Sequence, residues 1–387
     1  MKIAVFLPNW IGDVVMATPA LRALREHFRD AQLVGVMRPY VADVLRASPW
    51  LDGHIFLDKK GPWSSRWFAV SWKMRREAFD LAVLFPNSFH TALVAWLGGC
   101  RRLTGYRRYG RGWLLTTALE PVRDARGRLK PSPAIDAFNL LAQAVGCPSP
   151  GYRMELFTTP EDEATADVVW HKAGLGHYSE VVCLSPGGAF GSAKHWSVEY
   201  FARLAQHLVD RRGSGVLVLC GPSEVEQATQ IAQTAQRSAV RALGDLCTGR
   251  AGGVSPLLSA QTPVNEPVNQ PVSQQGAYAP RSPQLSIGLT KACVRRADLL
   301  VATDSGPRHF AAAFDRPVVT LFGPTHIPWT ETYFPKAVHK QKEVPCGPCQ
   351  LRVCPLDHRC MKELTPEEVF AAADALLQRY PRQRKAS

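Results

Sequence analysis

The sequence lacks the features of a membrane-spanning or secreted protein. No apolar run approaches the roughly 18 residues that a membrane-spanning helix needs. The apolar stretch after Met1 is too short for a signal peptide, and no small-residue cleavage site follows it. Ten cysteines in 387 residues are too sparse for a disulfide-built scaffold. We therefore expect a cytoplasmic protein.

Acidic residues are also in short supply. The chain has 46 Lys and Arg against 33 Asp and Glu, which gives a formal charge of +13. This excess indicates an anionic partner, such as nucleic acid, an acidic membrane face or a phosphorylated substrate. The surplus is divided almost evenly between the two halves of the chain, so no basic nucleic-acid module is appended to a neutral enzyme. Apolar residues make up 46% and mean hydropathy is −0.12, which is typical of a soluble globular chain of two domains.

The amino-terminal segment predicts the start of a βαβ unit. Residues 3–7 form a continuous apolar run suited to a strand that is buried on both faces. The turn Pro8-Asn9-Trp10-Ile11-Gly12-Asp13 interrupts the run, and residues 13–28 then carry apolar side chains at helical spacing. Further buried-strand patterns at 32–37 and 81–85 predict an α/β domain with a parallel sheet over residues 1–172.

A second series of the same kind begins near residue 180. Strand-like runs recur at 181–185, 215–221, 299–303 and 318–322, with helical patterns between them. They predict a second α/β domain over residues 173–365, followed by a helix and tail at 366–387. Residues 248–284 contain a degenerate repeat rich in Pro and Gln, which predicts a disordered insertion. A partner-binding loop is the alternative there.

Asp13 has two interpretations. It follows a parallel strand at the start of a helix, which is where open α/β sheets bind their ligands. As a structural residue it would cap the helix amino terminus. As a functional residue it would be a general base that takes a proton from a substrate hydroxyl.

Two later strand ends predict a phosphate site. The loop Ser185-Pro186-Gly187-Gly188 continues to Lys194 through small residues, which allow the backbone to approach a phosphate. It matches neither the P-loop nor the GxGxxG spacing, and a plain turn with a solvated lysine is the alternative. Thr303-Asp304-Ser305-Gly306 leads into a short helix, predicted at 310–314, whose amides could receive a diphosphate.

These strand ends together predict a nucleotide-diphosphate site in the second domain. His309 could equally be a structural helix histidine, and Gly323 ends a further strand on the same edge. No Asp-x-Asp occurs in the chain, although metal-dependent nucleotide-sugar sites normally use carboxylates to hold the cation. We therefore expect Lys194 and helix dipoles to meet the diphosphate charge, with no metal.

The most basic stretch is residues 101–130, where nine basic residues face two acidic ones and aromatics are interleaved. It is either a solvated surface or a cradle for an anionic acceptor or for lipid headgroups. Nucleic acid is a third option, but no recognised reading module accompanies the charge.

Four cysteines lie within fifteen residues near the carboxyl terminus: Cys346, Cys349, Cys354 and Cys360. Four thiolates so spaced could hold a structural zinc, although the spacing is not that of a standard finger or ribbon. A labile disulfide pair and four free thiols are the alternatives.

Taken together, the motifs resemble the bacterial lipopolysaccharide heptosyltransferases of glycosyltransferase family 9, and most closely the heptosyltransferase II branch. The resemblance covers nearly the whole chain except residues 248–284. Its motifs are Pro8-Asn9-Trp10-Ile11-Gly12-Asp13, Leu84-Phe85-Pro86-Asn87-Ser88-Phe89, Thr104-Gly105-Tyr106-Arg107, Ser185-Pro186-Gly187-Gly188 through Lys194-His195-Trp196, Thr303-Asp304-Ser305-Gly306 with His309, Leu321-Phe322-Gly323-Pro324-Thr325, Cys354-Pro355-Leu356, and the run from Cys360 to Val369.

The resemblance implies a GT-B fold, with two Rossmann-like domains that face each other across a cleft. It also implies inverting, metal-independent transfer of heptose from ADP-L-glycero-D-manno-heptose, with no required cofactor. The implied acceptor is an inner-core heptose of lipopolysaccharide at the cytoplasmic face of the inner membrane. Peripheral contact with an anionic membrane surface is implied as a partner, and no nucleic acid.

Site residues follow from the matching motifs. Asp13 would be the catalytic base. The donor would contact Ser185, Gly187, Gly188, Ser192, Lys194, Glu224, Asp304, Ser305, Gly306, His309 and Gly323. The acceptor would contact Asn9, Gly12, Asn87, Ser88 and Arg107. Pro307-Arg308 departs from the apolar residues that the family often has there, which leaves the local loop shape open.

Other functions remain open at this point. A family 9 enzyme could use a different donor or acceptor, and a nucleotide-sugar epimerase could share the two-domain scaffold. A basic nucleic-acid-binding protein is the alternative from a different class.

Overall fold

A computed structural model describes residues 1–57, 63–248 and 283–382. These residues form two α/β halves, each built on one six-stranded parallel sheet, and so confirm the predicted fold class. Except for its ends, the insertion predicted at 248–284 lies outside the described residues. Within the described ranges, no helix is long and apolar enough to cross a membrane.

The first half contains a sheet in the spatial order β3-β2-β1-β4-β5-β6. Its strands are β1 Lys2–Phe6, β2 Gln32–Met37, β3 Gly53–Phe56, β4 Leu81–Leu84, β5 Arg102–Tyr106 and β6 Thr117–Leu119. Its helices are α1 Ile11–Met16, α2 Thr18–His27, α3 Pro39–Leu45, α4 Trp63–Glu77, α5 Phe89–Leu97 and α6 Ala134–Gln143. Alternate residues of β1 enter the apolar clusters on the two faces of the sheet, which explains its uninterrupted apolar run.

The helix predicted over residues 13–28 is divided in two at Ala17. Pro19 lies in the first turn of α2 and has no amide hydrogen to continue the ladder of α1. The hydroxyl of Thr18 donates instead to the carbonyl of Val15, at 2.7 Å. The amino-terminal turn with Asp13 therefore belongs to a separate helix of six residues.

The second half repeats the arrangement, in the spatial order β9-β8-β7-β10-β11-β12. Its strands are β7 Val181–Ser185, β8 Gly215–Val218, β9 Val240–Ala242, β10 Leu299–Thr303, β11 Val318–Phe322 and β12 Ala337–Gln341. The helices from residue 160 onward are α7 Pro160–Ala173, α8 Val198–Arg212, α9 Val225–Ala235, α10 Leu243–Thr248, α11 Ile287–Arg296, α12 Gly306–Ala313, α13 Arg359–Lys362 and α14 Pro366–Arg379.

Both sheets have the same spatial strand order, 3-2-1-4-5-6, when the strands are numbered along the chain within each half. The order reverses between β1 and β4 in one half and between β7 and β10 in the other. Ligands bind outside the carboxyl ends of strands at such switch points. The loops after these four strands are therefore where a site is expected.

The boundary between the halves differs from the predicted one at residues 172 and 173. α7 packs on α10 and α11, and Arg296 binds both Glu163 and Asp167 of α7. The contacts thus place the whole of α7 with the second half, so the division falls before residue 160. α14 also belongs to this half, because it packs on α8, β10 and β11.

Contacts also join the two halves. α1 packs on α12, and α3 packs on α11. The Nζ of the fully buried Lys291 in α11 donates to the carbonyls of Phe157, at 2.8 Å, and Val44, at 3.2 Å. Burial lowers the pKa of Lys291 to about 8. This lysine fixes α11 against the end of α3.

Candidate active site

Two cavities lie at the carboxyl ends of the central strands. The first, of about 640 Å³, is lined mainly by the loops after β7, β8 and β10. The second, of about 970 Å³, is lined by the loops after β1, β4 and β5 and, to a similar extent, by the segment after β6 and by α6. Trp10 and Asp13 line both cavities. Asp13 can therefore reach molecules held on either side of it.

Asp13 is the third residue of α1 and does not cap this helix. Trp10 is the N-cap residue, and no side chain makes a capping hydrogen bond there. Burial, and then the negative charge of Asp304, raise the pKa of Asp13 from 3.8 to about 6, although Lys194 opposes the rise. A carboxylate with such a pKa is ionised at neutral pH and is a stronger base than an ordinary aspartate.

Lys194 and Asp304 form a buried ion pair in the first cavity. The Nζ of Lys194 lies 2.6 Å from Oδ2 of Asp304 and 2.9 Å from its carbonyl oxygen. Thr325 donates its hydroxyl to the same Oδ2, at 2.9 Å. Burial would raise the pKa of Asp304, but Arg308 and Lys194 hold it below its usual value. The lysine is thus a fixed positive charge and not a solvated one.

His309 lies between the two halves. A Cβ placed on Gly12 of α1 would lie 2.8 Å from Cδ2 of this histidine, so only glycine permits the contact. Gly306, the first residue of α12, packs on Ile11 in the same way. Burial, with the positive charge of Arg308, lowers the pKa of His309 well below 6.5. The ring is therefore neutral, and α1 and α12 meet at their amino termini beside it.

Glu224 forms another part of the wall of the first cavity. Its Oε2 accepts the amide of Gly221, at 2.9 Å. A Cβ on Gly187 would come within 2.0 Å of the other carboxylate oxygen, so a larger residue there would displace the Glu224 carboxylate. Ser185 and Gly188 line the same cavity as Glu224. The predicted residues that line it are Gly12, Asp13, Ser185, Gly187, Gly188, Lys194, Glu224, Asp304, Ser305, Gly306 and His309.

The second cavity depends on a buried arginine. Asn9, Asn87 and Ser88 line this cavity. Arg111 is fully buried behind them, and its guanidinium donates to Oδ1 of Asn87, at 3.1 Å, and to the carbonyl of Ser88, at 3.2 Å. It also donates to the carbonyl of Pro86, at 2.6 Å. Arg111 thus fixes the conformation of the loop after β4.

Comparison with known proteins identifies the family of this chain. The model of glycosyltransferase family 9 (heptosyltransferase) matches residues 67–248 and 273–359. The chain belongs to glycosyltransferase family 9. It is accordingly an enzyme that transfers a glycosyl group, and the epimerase and nucleic-acid-binding alternatives are not favoured.

Relatives match over nearly the full length of the chain. It is 26% identical to lipooligosaccharide heptosyltransferase 2 of Campylobacter jejuni, with 97% of this chain and 98% of the relative aligned. It is 25% identical to lipopolysaccharide heptosyltransferase 2 of Escherichia coli, with 97% and 99% aligned. The solved structure of E. coli ADP-heptose lps heptosyltransferase II is 21% identical and superposes with a TM-score of 0.71, over 98% of this chain and 99% of that one. The GT-B fold and the resemblance to family 9 are thereby confirmed.

Three residues assigned by the family resemblance lie away from the cavities. Ser192 is exposed and lines neither of them. Gly323 is covered by Met361 and Cys360 of α13, which pack on the end of β11. Arg107 is exposed and pairs with Glu120, at 3.0 Å. These placements argue against direct contact of the three residues with a ligand in this conformation of the family 9 chain.

The basic stretch at 101–130 does not act as one surface. Arg111 is buried, whereas Arg101 and Arg128 pair with nearby aspartates. Arg108 and Lys130 line the second cavity and are the members placed to meet an acceptor. No local pattern separates these roles, because all of these residues lie in one polar, arginine-rich run.

Sequence reasoning did not single out several residues of the site. Trp10 lines both cavities, Asp43 and Phe190 line the first, and Tyr152 and Trp329 line the second. Trp329 comes from the second half, so both halves contribute to the second cavity.

The helix after β10 begins at Gly306 and not at the predicted residue 310, because Pro307 is compatible with a first helical turn. This helix places Arg308, which replaces an apolar residue often found in the family, inside the protein. Its guanidinium donates a hydrogen bond to the carbonyl of Thr330 there.

The zinc hypothesis is not supported by the geometry of the cysteines. Cys346 and Cys349 are exposed, Cys354 is half-buried and Cys360 is buried, and all four are unpaired thiols. In the ranges described, which include these cysteines, no three His, Cys, Asp or Glu side chains are grouped as metal ligands would be. The segment that carries the four cysteines contacts the loop after β7, since the amide of Ala193 donates to the carbonyl of Arg352, at 3.0 Å.

Proposed function

We propose that this enzyme transfers heptose from ADP-L-glycero-D-manno-heptose to an inner-core heptose of lipopolysaccharide. The donor would bind in the first cavity and the acceptor in the second. The position of Asp13 on the wall that the two cavities share carries the proposal. The names of the C. jejuni and E. coli relatives, a lipooligosaccharide and a lipopolysaccharide heptosyltransferase 2, support heptose as the sugar and this class of glycolipid as the acceptor.

The reaction is a single in-line displacement at the anomeric carbon. Asp13 accepts the proton of the acceptor hydroxyl as its oxygen forms the new glycosidic bond. The bond from the anomeric carbon to the diphosphate oxygen breaks, and ADP leaves with the electron pair. Because attack and departure occur on opposite faces of the sugar, the configuration inverts. The transition state has oxocarbenium character, as in glycoside hydrolysis.

Charge that develops on the leaving diphosphate would be met by Lys194 and by the amino terminus of α12. Asp304 holds the lysine in place, at 2.6 Å, and the first amides of the helix lie at Ser305 and Gly306. Preorganised positive charge of this kind stabilises the transition state without further rearrangement. The sequence also lacks Asp-x-Asp, so we expect full activity in excess chelator.

The remaining roles follow from position in the cavities. Glu224 would contact the ribose of the donor, since its carboxylate lies beside Gly187. Asn9, Asn87 and Ser88 would contact the acceptor. Because lipopolysaccharide precursors are held in a membrane, we place the enzyme in the cytoplasm, in peripheral contact with the anionic inner face of the inner membrane.

The test is incubation with a panel of nucleotide sugars and a core-truncated lipopolysaccharide. We expect ADP release only when both substrates are present, and a mass gain of one heptose on the acceptor. Proton NMR of the product should give the inverted anomeric configuration. ADP-heptose consumption without acceptor, or an isomerised nucleotide sugar, would instead support an epimerase.

Asp13→Asn isolates the catalytic step. We expect a rate loss of about 100-fold to 10,000-fold, as for removal of a general base, with ADP affinity nearly unchanged. Asp43→Asn is the matched control, because Asp43 also lines the first cavity but lies away from the second. Near-normal turnover by Asp13→Asn would refute the assignment of the base.

A further inference from the structure

Large aromatic side chains are exposed on one surface of the first half. Phe68 and Trp72 of α4 are 64% and 63% exposed, and Trp96 of α5 is 50% exposed. Trp113, in the turn after β5, is 69% exposed, and its ring lies 6.3 Å from that of Trp96. α4 and α5 pack on each other. We name these four residues the aromatic strip. Clustered aromatics of this size indicate an interaction surface.

α4 has two apolar faces. Val70 and Met74 are buried in the apolar cluster beneath the helix. Phe68 and Trp72 are separated by one helical turn and share the outer face, so they project together. A helix that served only the core would carry polar residues there. The outer face is therefore built to contact something beyond this chain.

Exposed basic residues lie on α4 itself and shortly after α5 in the chain. Lys73, Arg75 and Arg76 of α4 are exposed, as are Arg101 and Arg102. The guanidinium of Arg76 stacks over the ring of Trp72, at 4.8 Å.

The acidic residues nearby are already bonded to cations. Glu77, the one acidic residue in the sequence of α4, accepts a hydrogen bond from the Lys2 ammonium, at 2.7 Å. Asp80 accepts the Lys2 amide, at 2.9 Å, and pairs with Arg101, at 3.4 Å. The charge of this face is therefore positive and complements an anionic partner.

The aromatic strip adjoins the second cavity. The ring of Phe89 lies 6.4 Å from that of Trp113, and Trp67 stacks on His90, at 5.6 Å. Phe89 and His90 both line the cavity. A partner seated on the aromatic strip would thus lie beside the opening through which the acceptor enters.

We propose that the aromatic strip and its basic border are the face that docks on an anionic lipid bilayer. Tryptophan and arginine suit the headgroup region, where rings are partly buried and cations meet lipid phosphates. A protein partner would not require so many basic residues beside the rings. The proposal rests on the membrane contact of the proposed function and deepens it by naming the surface that makes this contact.

The test is sedimentation of the full chain with vesicles, without either substrate. Vesicles of phosphatidylethanolamine and phosphatidylglycerol at 3:1 are compared with vesicles of pure phosphatidylcholine. We expect binding to the anionic vesicles, and weaker binding in high salt. The double variant Phe68→Ser and Trp72→Ser should bind at least about tenfold more weakly. The matched control is Val353→Ser with Leu356→Ser, since these residues are also exposed, at 68% and 61%, but lie in the second half.

The outcomes separate this proposal from the proposed function. Equal binding by the double variant and the wild type, or no preference for anionic vesicles, would overturn the docking face. So would a wild-type dimer in light scattering that the double variant abolishes, because a second copy would then cover the aromatic strip. Transfer to a detergent-dispersed acceptor tests the catalytic proposal separately, and the double variant should retain it. Circular dichroism melting confirms that the variants are folded.

Discussion

Asp13 is predicted to control the dependence of the rate on pH. Its pKa is raised from 3.8 to about 6, which costs the ionised form about 3 kcal/mol. A general base acts only when deprotonated, so the activity is present above this pKa and is lost as the pH falls through it. At pH 5, about one tenth of the molecules would hold the ionised carboxylate, against nearly all of them at pH 7.5. An ordinary aspartate would remain mostly ionised at both values.

The assay is the initial rate of ADP release at subsaturating substrate, between pH 4.5 and 8. We expect kcat/KM to fall about tenfold per pH unit below about 6, because this ratio reports the free enzyme. Circular dichroism at each pH shows whether the chain stays folded. A rate that is constant from pH 5 to 7, or that begins to fall only below pH 5, would refute the role of Asp13.

Two variants should displace the dependence of kcat/KM on pH in opposite directions. Asp304→Asn removes the negative charge that raises the pKa of Asp13, so the acid limb should move to lower pH. Lys194→Met removes the positive charge that opposes the rise, so the limb should move to higher pH. Displacement of both profiles in the same direction would contradict this electrostatic account, even if each variant were slow.

Three further substitutions test the site. Lys194→Ala should weaken ADP binding by about 10-fold to 100-fold, as expected for loss of a charged hydrogen bond, and calorimetry that finds an unchanged Kd would count against the phosphate role. Arg111→Met should lower the free energy of unfolding in urea by about 2–4 kcal/mol and raise KM for the acceptor, whereas the exposed Arg126→Met should change neither. Gly12→Ala should lower stability by about 1–3 kcal/mol and reduce turnover, because its Cβ would overlap the buried histidine ring that faces it. Gly176→Ala, where no atom lies within 4 Å, is the control, and equal effects of the two glycine variants would contradict the steric argument.

Local patterns allowed the two sheets and the main site loops to be predicted. The run at residues 3–7 and the run at 181–185 are continuous because helices cover both faces of each sheet, so burial is visible in the composition itself. Each loop that follows such a strand must lie at the carboxyl edge of the sheet. Asp13, Lys194 and Asp304 could therefore each be assigned to the carboxyl edge of a sheet before any contact was known.

Contacts between distant residues could not be predicted in this way. Arg111 reads as one more member of a basic run, yet its guanidinium is buried because carbonyls from the loop after β4 surround it. Gly323 follows a strand in the sequence as the other site loops do, but α13 covers it in the structure. The position of α7 with the second half also depends on its partners in α11, more than a hundred residues later.

By itself, the sequence determined the fold class, the family resemblance and which loops carry the chemistry, because strand burial and glycine turns are local properties. Only the tertiary structure decided how those loops meet. It placed Asp13 on the wall between two cavities and set Lys194 against Asp304, 110 residues away. The pKa of a carboxylate depends on the charges and the solvent around it, and neither is encoded next to it in the chain.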